Sequence, residues 1–90
     1  MNNGSVAGWI VYILECADGT LYTGITVDLP RRLAAHQSGA ASKYTRARLP
    51  VRIIHQEAHP TRSSALRREA FIKSLTRGDK RALIGATSSR

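Results

Sequence analysis

Arg32 and His36 are four residues apart, the spacing that puts two side chains on one face of a helix. An arginine there can stabilise the charge of a phosphoryl transition state, and a histidine can move protons near neutral pH. The same pair would equally suit a solvated basic face with a half-buried histidine. Glu69 is a third candidate, because it is the acid hardest to place. Of the six carboxylates, Asp18 suits a turn, Asp28 and Asp79 suit helix caps, Glu15 ends a strand and Glu57 follows one. Glu69 sits instead in the helical stretch ALRREAFIK, and a helical wheel sets it between Ala65 and Leu66. An inward carboxylate is costly unless it is paired or holds a metal. Mg²⁺ takes one or two protein carboxylates plus phosphate oxygens and water. An ion pair with Lys73, four residues on, is the alternative. Two tyrosines, Tyr12 and Tyr22, complete the set. A phenol of pKa about 10 is a poor base at neutral pH, so cations must sit nearby if it is to act as one.

These side chains need elements to position them. Residues 9–16 (WIVYILEC) are apolar on both alternating faces and read as a strand covered on both sides. Ala17-Asp18-Gly19 is a turn signal, and residues 20–26 (TLYTGIT) read as the returning strand. A two-residue Asp18-Gly19 loop would put Tyr12 and Tyr22 on opposite faces. A three-residue loop with Gly19 left-handed would set Tyr12 against Gly24 and make the tyrosines diagonal neighbours on one face. In that register Gly24 leaves room above the sheet for a ligand. Asp28 reads as the N-cap of a short helix, with Pro30 in its first turn, Leu29 and Leu33 on its buried side and Gly39 at its end. Residues 40–50 form a basic loop with room for one helical turn. Residues 51–56 (VRIIHQ) read as a third strand, Thr61 or Ser63 caps a long helix to Leu75, and Gly78-Asp79 opens a short helix over 80–84. The order β-β-α-β-α-α indicates one α+β domain over residues 8–84, with a small antiparallel sheet and flexible tails at 1–7 and 85–90.

Charge narrows the partner. Fourteen Lys and Arg face six Asp and Glu in 90 residues, a net charge of +8, and eleven of the fourteen are Arg. Arg donates two parallel hydrogen bonds to phosphate, so the excess points to a polyanion, most simply nucleic acid. Ninety residues hold no separate cofactor domain. No apolar run approaches a membrane span, and the polar start does not read as a signal peptide, so a cytoplasmic, non-membrane protein is expected. A single cysteine excludes an internal disulfide and a cysteine zinc cluster. His55 and His59 lack a metal-ligand spacing and read as structural or exposed.

Taken in order, Tyr12, Tyr22-Thr23-Gly24, Arg32, His36 and Glu69 on this frame resemble the GIY-YIG nuclease superfamily. The stretches YILECADGTLYTGIT, DLPRRLAAH, SKYTRARLPV and RSSALRREAFIKSLTR are similar to its small stand-alone UPF0213 group, over about residues 8–84. The resemblance implies a three-stranded antiparallel sheet flanked by helices, and hydrolysis of DNA phosphodiesters with one divalent ion, Mg²⁺ or Mn²⁺. It implies that one tyrosine helps to deprotonate the attacking water, Arg32 clamps the scissile phosphate, His36 assists proton transfer and Glu69 holds the metal. Lys43, Tyr44, Thr45, Arg46 and Arg48 in the loop, with Arg62, Arg67, Arg68 and Lys73 on the long helix, are the expected nucleic-acid surface. Tyr44 could stack on an unpaired base or pack on the core. The chain departs from the pattern at four points. Its first half-motif is Ile10-Val11-Tyr12, its second has Thr23 for the central Ile, Ile25 stands where some members have Lys, and no Asn follows Asn3. Two functions are therefore weighed: an endonuclease acting on branched, nicked or irregular DNA in repair or recombination, and a weakly active or inactive binding module. Target selection falls to this surface or to a protein partner, and RNA is not excluded as a ligand.

Overall fold

A computed structural model describes residues 8–88, with side chains through residue 85. Its elements are β1 (Trp9–Glu15), β2 (Leu21–Thr26), α1 (Leu29–Gln37), α2 (Lys43–Arg46), β3 (Arg52–His59), α3 (Arg62–Ser74) and α4 (Arg77–Ser88). The three strands form one antiparallel sheet in the order β2-β1-β3.

The central strand explains the apolar run. Tyr12 and Leu14 face one side, where they pack with Leu29, Val51 and Leu33. Val11 and Ile13 face the other, against Ala65 and Ile72 of α3 and Leu83 and Ile84 of α4. Val11, Ile13 and Leu14 are fully buried, each contributing about 1.5–3 kcal/mol of apolar burial. One sheet thus separates two cores, and α1 and α3 lie on opposite faces.

The hairpin adopts the three-residue loop. Tyr12 pairs with Gly24 and Leu14 with Tyr22. Gly19 has φ +84°, and two backbone bonds close the turn, Cys16 N–H to Thr20 O and Gly19 N–H to Cys16 O. The Asp18 carboxylate accepts from both the N–H and the hydroxyl of Thr20. This register puts both tyrosines on the α1 face.

Asp28 caps α1 by accepting from Arg31 N–H, with Pro30 in the first turn. Thr61 caps α3 by accepting from Ser64 N–H. The loop 40–50 does contain one helical turn, α2, capped by Ser42.

Four expectations change. The third strand runs three residues further, to His59, and carries Glu57 within it. The last helix starts at Arg77 and reaches Ser88, so residues 85–88 of the expected tail are helical. Its first turn is capped by the Thr76 hydroxyl, which accepts from Asp79 N–H, so Asp79 is not the cap. The segment 1–7 and residues 89–90 lie outside the described residues. Finally, Gly24 leaves no ligand space, because the Tyr12 phenol itself lies over it.

Candidate active site

The cleft is built where β1, β2 and α1 meet. Tyr12 is buried at its floor, and its Oη lies 2.8 Å from His36 Nε2. His36 is buried too, and its Nδ1 lies 2.8 Å from Thr45 Oγ1. Tyr22 is half-buried beside them, its ring meeting the imidazole edge-on at 5.1 Å. Tyr44 stacks on Tyr22 at 6.1 Å, and the Arg48 guanidinium covers Tyr44 at 3.9 Å. An aromatic column therefore runs from the surface to the buried imidazole and holds the Tyr22 ring in place.

Arg32 is exposed one turn before His36, and Glu69 lies on α3 with its side chain mostly buried. The electrostatics tie them together. Burial pushes the Tyr12 phenol well above its ordinary range, the neighbouring Tyr22 and Glu69 push it further, and Arg32 pulls it back. Burial and then the Arg32 charge hold His36 below the usual imidazole value. Both groups are thereby neutral at neutral pH. Desolvation outweighs Arg32, so Arg32 alone does not lower the phenol.

Of the two readings offered for Glu69, the structure shows the ion pair with Lys73. Its carboxylate pairs with Lys73 Nζ at 3.3 Å and also acts on the Tyr12 phenol. Among the described residues no cluster of three or more His, Cys, Asp or Glu could hold a metal. A single carboxylate suits an ion that takes most of its ligands from water and phosphate, as Mg²⁺ does. It does not suit zinc, which needs three or four protein ligands.

The comparisons with known proteins decide the family. The model of the GIY-YIG catalytic domain matches residues 8–82. The chain belongs to the GIY-YIG family. A UPF0213 protein of Streptococcus sanguinis is 53% identical over 74 residues, covering 82% of this chain and 85% of that protein. A UPF0213 protein of Halobacterium salinarum is 52% identical, covering 81% and 95%. The solution structure of a UPF0213 protein from Bacillus halodurans is similar at TM-score 0.61 and 43% identity, covering 90% of this chain and 86% of that one. A second solution structure, of a protein from E. faecalis, has TM-score 0.63 and 38% identity, covering 100% and 95%. The α+β sheet-and-helix architecture is thus the fold of this GIY-YIG group.

Around the GIY-YIG cleft, the expected nucleic-acid residues divide by what already holds them. Lys43, Arg46, Arg62 and Arg67 are exposed, and none of them has a carboxylate partner among the described contacts. Arg48 is bound to Asp18 at 3.1 Å and to Tyr44 O at 2.9 Å. Arg68 is forked onto Glu57 at 2.9 and 3.0 Å, so it is a structural cation rather than a free phosphate contact. Thr45 is fully buried and cannot touch a nucleic acid; the loop turns it inward onto His36. Two cations were missed. Lys80 shares a groove of about 240 Å³ with Tyr22, Tyr44 and Lys73. Arg31 joins Arg32 in a second groove of about 350 Å³. Their signal in the sequence was only their charge.

His55 and His59 are structural, as their Nε2 atoms meet Glu57 at 2.8 and 3.2 Å. No helix among the described residues is long and apolar enough to cross a membrane.

Proposed function

We propose that this chain is a divalent-metal-dependent endonuclease that hydrolyses DNA phosphodiester bonds. The observation that carries the reading is the packed cluster of Tyr12, His36 and Tyr22, with Arg32 and Glu69 near enough to act on the Tyr12 phenol, in a GIY-YIG domain. Glu69 would hold Mg²⁺ or Mn²⁺, which when bound supplies Lewis-acid stabilisation of charge on the phosphoryl oxygens.

The chain's own residues do the rest. Arg32, exposed at the rim and always charged, holds the scissile phosphate and stabilises its developing negative charge. Tyr12 stands in line to take a proton from the attacking water as it passes its own to His36 Nε2. The Tyr44 stack keeps Tyr22 at the cleft wall. Exposed Lys43, Arg46, Arg62 and Arg67, with Lys73 and Lys80 in the groove beside Tyr22, contact the phosphate backbone. Backbone contacts read the shape of DNA more than its bases. That supports selection of branched, nicked or irregular DNA, such as the intermediates of repair and recombination, and the cytoplasm is the proposed place of action.

The test is cleavage of a matched set of duplex, nicked, branched and single-stranded oligonucleotides, DNA and RNA, with Mg²⁺ or Mn²⁺. Wild type should cut irregular DNA most, and Arg32→Ala and Glu69→Ala should each lose most of the rate. Equal cleavage by both variants contradicts the assignment of these residues. Salt-sensitive binding without cleavage under any metal would make the domain a binding module.

A further inference from the structure

We propose that Thr45 is a positioning residue: it fixes the ring proton of His36 on Nδ1 and so leaves Nε2 free to accept the Tyr12 proton. The consequence for catalysis rests on the nuclease reading; the proton address itself does not.

The argument is a count of donors and acceptors. The Tyr12 Oη has one hydrogen-bond partner among the described residues, His36 Nε2. The side chain is 2% exposed, and among the described residues its O–H has no other acceptor. A buried phenol that keeps its proton must donate it, and here it can donate only to Nε2. Nε2 must then present a lone pair. A neutral imidazole carries its proton on the other nitrogen, and Nδ1 faces Thr45 Oγ1 at 2.8 Å. The hydroxyl accepts that N–H and turns its own proton to the Ser42 carbonyl at 3.4 Å. The chain is polarised throughout, from Tyr12 to His36 to Thr45 to the backbone. The reversed chain, with Nε2–H donating to Tyr12, would strand the phenolic proton in the core.

The local fold serves this purpose. Ser42 caps α2, its hydroxyl accepting from Tyr44 N–H while its carbonyl also takes Arg46 N–H. That single turn carries Thr45 under α1 with no exposed surface. Valine has the shape of threonine without the hydroxyl, so shape alone does not account for the residue.

During hydrolysis the water oxygen bonds to phosphorus and its proton passes to Tyr12 Oη. The Oη proton passes to Nε2, and the phosphorus bond to the departing deoxyribose oxygen breaks. That oxygen takes a proton from solvent, and the imidazolium returns its proton through Tyr12. Thr45 holds Nδ1–H throughout.

The experiment is ¹⁵N NMR of the imidazole nitrogens in the full chain, with His36 assigned by its loss in His36→Gln, beside single-turnover cleavage. The wild type should show Nδ1–H. Thr45→Ser should keep it, and Thr45→Val should move it to Nε2 or to a mixture. A misplaced ring proton costs about 10⁴-fold in a serine-protease triad. Thr45→Val should therefore slow the chemical step by at least about 100-fold with unchanged DNA affinity, and Thr45→Ser should restore it to within about fivefold. Nε2–H in the wild type, or retained Nδ1–H in Thr45→Val, overturns the proposal. A wild type that cuts nothing, yet shows Nδ1–H that Thr45→Val abolishes, supports the positioning role and removes the nuclease reading instead. The wild-type spectrum needs no variant to fold.

Discussion

Gly24→Ala probes how closely the cleft floor is packed. A Cβ at Gly24 would lie 2.6 Å from Tyr12 Oη, 2.7 Å from Cζ and 3.1 Å from Cε2. The backbone at Gly24 is not left-handed, so the new methyl strains only the phenol. Overpacking of this kind costs about 1–3 kcal/mol. Pushing the phenol aside also breaks its bond to His36, worth about 0.5–1.5 kcal/mol net. The restricted unfolded chain gives back about 0.4–1 kcal/mol. The balance is a destabilisation of about 2 kcal/mol, which for a domain this small lowers Tm by roughly 8–16 °C. Urea and thermal unfolding followed by circular dichroism measure it. The same substitution in a Tyr12→Leu background, where the ring is gone, should cost less than about 0.5 kcal/mol. An unchanged Tm in Gly24→Ala, or the same loss in both backgrounds, refutes the packing argument.

Arg32→Ala should reduce single-turnover cleavage by about 10²–10³-fold, the loss found when one transition-state donor is removed, and Arg32→Lys should recover only part because lysine cannot fork onto a phosphate. Burial pushes the Glu57 carboxyl up, but hydrogen bonds from Arg68, His55 and His59 outweigh it and bring it down to about 2. Its folded value lies below its unfolded one, so its stabilisation is full above about pH 4.5 and is lost as pH falls towards 2; Glu57→Gln should show a flatter decline of Tm across that window. Lys43→Ala and Arg46→Ala should weaken DNA binding alike for all sequences and each reduce the slope of log affinity against log salt by about 1, measured by fluorescence anisotropy.

The local signals in the sequence were sound guides. Asp28 and Thr61 could be read as caps because capping is chemistry between near neighbours. The doubly apolar run at residues 9–16 identified the central strand for the same reason, since burial on both faces leaves no polar alternation. The turn left two registers open, and the left-handed Gly19 with its closing backbone bonds selects between them. What stayed hidden depends on partners distant in sequence. Arg48, beyond α2, is held by Asp18 in the hairpin turn, and Arg68 by Glu57 on another element, so charge alone overstated the free cations. Thr45 stood in a basic, loop-like stretch, and nothing in its neighbours showed that one helical turn would bury it against His36. A Tyr12 phenol acting as a base needs nearby cations to lower it, and Arg32 pulls in that direction. The phenol's depth below the surface reverses that sign, a quantity set by packing.

The most direct measurement is the initial rate of DNA cleavage as Mg²⁺ is titrated into wild type and Glu69→Gln, each shown to be folded. Wild type should be silent in EDTA and rise to saturation with the metal, and Glu69→Gln should stay near the EDTA baseline at every concentration. A Glu69→Gln curve that overlays the wild type, or wild-type cleavage that persists in EDTA, contradicts a metal-dependent site centred on Glu69.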